Sequence, residues 1–130
     1  MSSQTLSLRN VLLIDAATCA LMGALLTFGV RLLSNLTAIS PALLFYAGVV
    51  LFPVAAFMVV TAARTALSPF AARIIIAGNA LWVVASIGLI VGPWIAPNAW
   101  GYTFIAAQAV AVAVLTKLEY DAMRSVEIAA

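Results

Sequence analysis

The stretch VLLIDAATCALMGALLTFGV, residues 11–30, decides the fold class. It is apolar along its whole length and long enough to cross the ~30 Å hydrocarbon core of a bilayer, which takes ~20 residues of helix. It also carries a carboxylate, Asp15, four residues inside it. A soluble helix with such a run would need a large protein around it. This chain has 130 residues, of which 66% are hydrophobic and 8% charged, with a mean hydropathy of +1.21. Soluble domains are nearer half apolar and a quarter charged, so the excess apolar surface must face lipid.

Charges and turn residues divide the rest of the chain. The spans predicted are residues 11–33, 42–63, 74–92 and 101–118, with a cytoplasmic tail over 119–130. Pro41 stands at the entry to the second span, Pro53 lies inside it, and PWIAPNAW breaks the chain before the fourth. Backbone groups in lipid must be satisfied within their own segment, so the spans are helices. The expected fold is all-α: a single membrane domain of four transmembrane helices in an antiparallel up-down bundle. Arg9, before a long apolar run, raises the question of a signal peptide; the run is too long for one and no convincing cleavage site follows, so a retained span is expected.

Orientation follows from the basic residues. Arg9, Arg64, Arg73, Lys117 and Arg124 fall on one side if both termini are cytoplasmic, and the opposite loops at 34–40 and 93–100 carry no charge. This positive-inside pattern predicts a multi-pass protein of the bacterial inner (cytoplasmic) membrane with N- and C-termini in the cytoplasm. Arg31 is the exception, near the outer end of the first span. It reaches lipid phosphates or meets an anion or a partner's carboxylate.

Few polar groups lie within the spans. Asp15 is six residues after Arg9, and Asn79 is six residues after Arg73. Each lies ~9 Å along its helix from the same surface, so the two are expected at similar depth. A carboxylate costs ~2.5–3.5 kcal/mol at the bilayer centre and less near its surface, so Asp15 should face the bundle. Two readings stand side by side: a proton or cation site, or a peg bonded to Asn79 or paired with Arg9, Arg64 or Arg73. The peg is the preferred one, because Asp15 reads as a lone intramembrane acid. Gln108 on the fourth span is a candidate to bridge helices or bind a partner. Glu119 is expected at the cytoplasmic end, pairing with Arg64 or Arg73 or simply solvated. Gly88 and Gly92 form a GxxxG, and Ala16, Ala20 and Ala24 repeat at intervals of four; such small faces let helices approach closely.

The absence of histidine removes His-based triads and most zinc sites, and a single cysteine, Cys19, excludes a CxxC redox pair. No basic-aromatic pattern points to nucleic acid. The sequence implies no metal, no catalytic residue and no cofactor, and leaves room for a bound lipid.

Asn79-x-x-Trp82-x-x-x-Ser86, Gly101-x-x-Phe104-x-x-x-Gln108-Ala109 and Leu118-Glu119-Tyr120 resemble a family of small, uncharacterised four-span bacterial integral membrane proteins. Asp15 and the Gly48…Leu51-Phe52-Pro53 run fit the same pattern. The resemblance implies class and topology and carries no activity. Three functions are weighed. The favoured one is a non-enzymatic accessory or assembly subunit of a larger membrane complex, with lipids and other subunits or further copies of itself as partners. The alternative is a small oligomeric transporter or channel with Asp15 as a proton or cation site, lined also by Asn79, Arg31 and Gln108. An intramembrane enzyme ranks last, for want of histidine and of paired carboxylates in the spans.

Overall fold

The computed structural model describes residues 7–129, with side chains described to Ser125. Among these residues the chain forms five helices: α1 (Leu8–Phe28), α2 (Val30–Thr37), α3 (Pro41–Ala63), α4 (Pro69–Val91) and α5 (Ala99–Ala129). Four of them, all but α2, are long and apolar enough to cross a membrane. Their outer surfaces agree with that. Phe28 is 83% exposed and Val91 78%, and Leu21, Leu81 and Phe70 are similarly bare. Apolar surface of this extent belongs against lipid.

Local chemistry sets the helix starts. Ser7, Ser40 and Ser68 each accept a backbone N–H three residues on, at 3.1–3.2 Å, and Pro41 and Pro69 follow two of these caps. Serine at the cap and proline at the first helical position leave the fewest unsatisfied donors. This moves two predicted boundaries. The third span starts at Pro69, five residues before residue 74, because Ser68-Pro69 is a start signal. The first span ends at Phe28, not at residue 33. Gly29 separates it from α2, which carries Arg31. The segment after residue 118 continues the fourth span as one helix, α5, to Ala129.

α1 packs along the length of α3, and α4 along the length of α5. α1 also touches α5, whereas α3 and α4 meet at only a few positions. The α1–α3 seam is built on a 3–4 spacing. Leu8, Leu12, Cys19, Gly23 and Leu26 are buried on α1; Leu44, Gly48, Leu51, Ala55 and Met58 are buried on α3. At its centre the two backbones approach so closely that a Cβ on Gly23 would stand 3.0 Å from the Gly48 carbonyl oxygen. Ala16 is buried on the same seam, Ala20 packs against it and Ala24 is half-buried.

At one end of the bundle the Arg9 guanidinium closes α3. It donates to the carbonyls of Ala62 and Arg64, both at 2.7 Å, and of Thr65 at 3.3 Å. A cation there meets the carbonyls that a helix C-terminus leaves open. At the other end Asn98 joins both loops. Its backbone N–H donates to Thr37 O and its amide to Leu36 O, while its side-chain oxygen accepts from Gly101 N at 2.9 Å and so caps α5.

The Gly88–Gly92 pair does not form a packing face within the chain. A Cβ on Gly88 would meet nothing within 4 Å, while Gly92 lies under the Trp94 ring. Gly88→Ala is therefore expected to stabilise the isolated chain slightly, by about 0.5–1 kcal/mol, through helix propensity alone. Thermal unfolding in detergent checks it. A loss of stability would place a neighbour against Gly88.

Candidate functional site

The uncharged polar residues of α4 sit on its packing stripe. Ala72, Ile75, Asn79 and Ser86 are buried and Trp82 is half-buried, a spacing of three and four that turns them all toward α5. α5 answers on a matching stripe, with Ile105, Gln108, Leu115, Glu119 and Ala122. Two hydrogen-bonded clusters result, about one to two helical turns apart along α4.

The first cluster joins three helices. Asn79 Nδ2 donates to Asp15 Oδ2 at 2.8 Å and to Glu119 Oε1 at 2.9 Å. One amide nitrogen thus holds two carboxylates, one from α1 and one from α5, whose bound oxygens are no more than ~6 Å apart. The Cys19 thiol, one turn along α1, donates to Asp15 Oδ1 at 3.6 Å. Asp15 is 1% exposed and Glu119 fully buried. Glu119 Oε2 is buried with no hydrogen-bond partner.

Glu119 therefore departs from its expected place. The sequence places it at the cytoplasmic end, solvated or paired with Arg64 or Arg73; in the structure it turns into the bundle and accepts from Asn79. Asp15 is accordingly not a lone acid. The signal was present in the sequence: Glu119 continues the periodic apolar face of α5, four residues after Leu115 and four before Met123. Arg64 is exposed and offers Arg9 its backbone carbonyl. Arg73 is exposed in the second turn of α4. Among the described residues near the end of α5, Lys117 and Asp121 form an exposed pair at 2.9 Å of the kind that contributes little, and Arg124 lies over the Tyr120 ring.

The second cluster centres on Gln108. Its side-chain oxygen accepts from Trp82 Nε1 at 2.6 Å, and its amide nitrogen donates to Ser86 Oγ at 2.9 Å and to Ile105 O at 2.8 Å. Gln108 thus bridges α4 and α5. Arg31 joins neither cluster. It is exposed on α2, away from the residues around Asp15.

The sparse contact between α3 and α4 leaves a cleft of about 620 Å³. Val50, Pro53, Val54 and Phe57 of α3 form one side, and Ile74, Gly78, Leu81 and Trp82 of α4 the other. Asp15, Cys19, Asn79 and Gln108 supply its polar wall. A second cavity of about 220 Å³ lies toward the Asn98 end, among Leu26, Leu43, Ser86 and Phe104. The two share Met22, Trp82, Ala85 and Gln108 as lining. The Trp82–Gln108 hydrogen bond therefore stands between them. Pro53 borders the larger cleft and has no backbone N–H for the carbonyl four residues before it, that of Val49. This is the placement expected of backbone irregularity in a membrane, beside a cavity or buried in protein.

No protein-family model, no curated protein and no solved structure matches this chain.

Proposed function

We propose that this chain is a non-enzymatic integral membrane protein of four antiparallel transmembrane helices, both termini in the cytoplasm, that acts as a small carrier with Asp15 as its proton or cation site. One observation carries the reading: Asp15 and Glu119 converge on a single amide at the wall of an apolar cleft between α3 and α4. Intramembrane carboxylates that face a cavity mark ion and substrate paths. The peg reading of Asp15 depends on its being a lone acid, and Glu119 removes that reason. The orientation is supported by the basic residues on one side and the uncharged loops on the other. The non-enzymatic reading is supported by the lack of histidine and by a cluster whose donors are already engaged by carboxylates.

The bacterial inner membrane is the matching location. The accessory-subunit reading keeps one observation in its favour: Gly78 and Gly88 leave open space on α4 where a partner helix could approach. Native mass spectrometry of the protein, extracted from its own membrane at natural abundance, separates the two. A carrier is expected as the 13.6 kDa chain alone or as a symmetric homo-oligomer. In proteoliposomes it should then support a proton or cation flux that Asp15→Asn abolishes. Stoichiometric retention within a larger complex, or a flux unchanged by Asp15→Asn, overturns the carrier.

A further inference from the structure

We infer that the α3–α4 cleft binds a lipophilic amine, its ammonium group against Asp15 and its hydrocarbon body between the two helices. The inference deepens the carrier reading and rests on it for its biological sense, but it concerns binding alone.

The size comes first. At about 620 Å³ the cleft falls within the ~300–1,000 Å³ typical of small-molecule sites, which are mostly apolar with a few placed polar groups. Its lining along α4 runs from Ile74 to Ala85, ~16 Å at the helical rise, comparable to an extended dodecyl chain. Val54, Phe57, Leu81 and Trp82 would flank such a chain.

The head group follows from a count of donors and acceptors. Asp15 and Glu119 bring four carboxylate oxygens to the cluster. The Asn79 amide serves one on each, and the Cys19 thiol a third at long range. The fourth, Glu119 Oε2, is buried and has no partner. Two carboxyl groups thus share few donors, and of the two it is Asp15 that reaches the cleft. The Gln108 oxygen is already taken by Trp82. An anionic head would stand against the Asp15 carboxyl. An alcohol brings one donor and no charge, whereas an ammonium brings both charge and three donors, enough for both oxygens of Asp15 at the cleft wall. Asp15 and Asn79 line the cleft directly; Glu119 acts behind them as the group that positions Asn79.

The test uses the full chain in phosphatidylcholine nanodiscs and three probes that share one tail: dodecylamine, dodecanol and dodecanoate. Equilibrium binding is expected to favour the amine over the alcohol about 10- to 100-fold, the worth of a charge-assisted hydrogen bond, with dodecanoate weakest. Asp15→Asn should abolish the preference for the amine. Gly78→Leu should block all three probes. Gly78 lines the cleft and has no atom within 4 Å of its Cβ position, so the new side chain fills the cleft without disturbing the helix contacts. Displacement of the amine by phosphatidylethanolamine would identify a lipid head group as its natural source, and failure to displace it a free amine. Equal binding of all three probes, or a preference for the amine that survives both substitutions, overturns the inference. Amine-selective binding without flux overturns the carrier and leaves the site; flux without selective binding does the reverse.

Discussion

Asn79→Asp is expected to be the most disruptive single-atom-scale change in this protein, lowering its stability in detergent by roughly 3 kcal/mol or more. The side chain keeps its size and loses its donor. Asn79 Nδ2 donates to Asp15 at 2.8 Å and to Glu119 at 2.9 Å. A hydrogen bond to a charged group contributes ~1.5–3 kcal/mol in water-soluble proteins, and interhelical bonds measured in membranes give about 0.6–2 kcal/mol. Losing two such bonds is only part of the effect. The substitution also sets a third carboxyl within hydrogen-bond distance of two others, Asp15 and Glu119, both buried in the bundle. Asn79→Leu should cost less, since it removes the donor without adding an acid. Thermal unfolding of the three proteins in one detergent gives the order: native, then Leu, then Asp. If the Asp variant unfolds where the native protein does, the carboxylates are not held through Asn79 and the cluster has been misassigned.

Gly48→Leu should separate α1 from α3. A Cβ alone at Gly48 would stand 2.6 Å from Thr27 Oγ1, 2.8 Å from Leu26 Cβ and 3.0 Å from the Gly23 carbonyl oxygen. Two of these three atoms are on side chains and one is backbone, so Gly48→Ala already demands a shift of the whole seam. Overpacking of that kind costs about 1–3 kcal/mol. Leucine adds three more carbons at the same point, where the helices have no room to part without losing the contacts of Leu12, Leu51 and Met58. Close approach of backbones is what drives helix association in lipid, where burial itself gains little. The variant is therefore expected to insert and remain helical while losing its compact form. Circular dichroism should be unchanged and crosslinking between introduced cysteines on α1 and α3 abolished. Retained crosslinking at the native rate would mean that the Gly23–Gly48 contact does not hold the pair.

The same comparison explains why the GxxxG of α4 misleads. The motif identifies two small residues on one face, and nothing in it says which helix lies opposite. Gly88 faces open space and Gly92 packs beneath Trp94. The close contact of this fold uses one glycine from each of two helices, Gly23 and Gly48, that no single-helix motif links. Glu119 is a similar case. Its neighbours Lys117, Tyr120 and Asp121 read as a solvated helix end, and Lys117 and Asp121 do form an exposed pair. Only the helical period carries Glu119 to the opposite side, onto the buried face.

The sequence alone determined that the chain is helical and has four segments able to cross a membrane. Those properties depend on length and on apolar composition, which are summed along the chain and need no knowledge of neighbours. It also placed Asp15 and Asn79 at one depth, because the rise of a helix is fixed. The tertiary structure alone decided which helices pair, that α3 and α4 leave a cleft, and that Glu119 joins Asp15 through Asn79. Those outcomes depend on how helix faces are rotated toward one another. That rotation is settled by a few close backbone contacts and buried hydrogen bonds between residues 25 to 64 positions apart, a separation at which periodicity along one helix says nothing about the other.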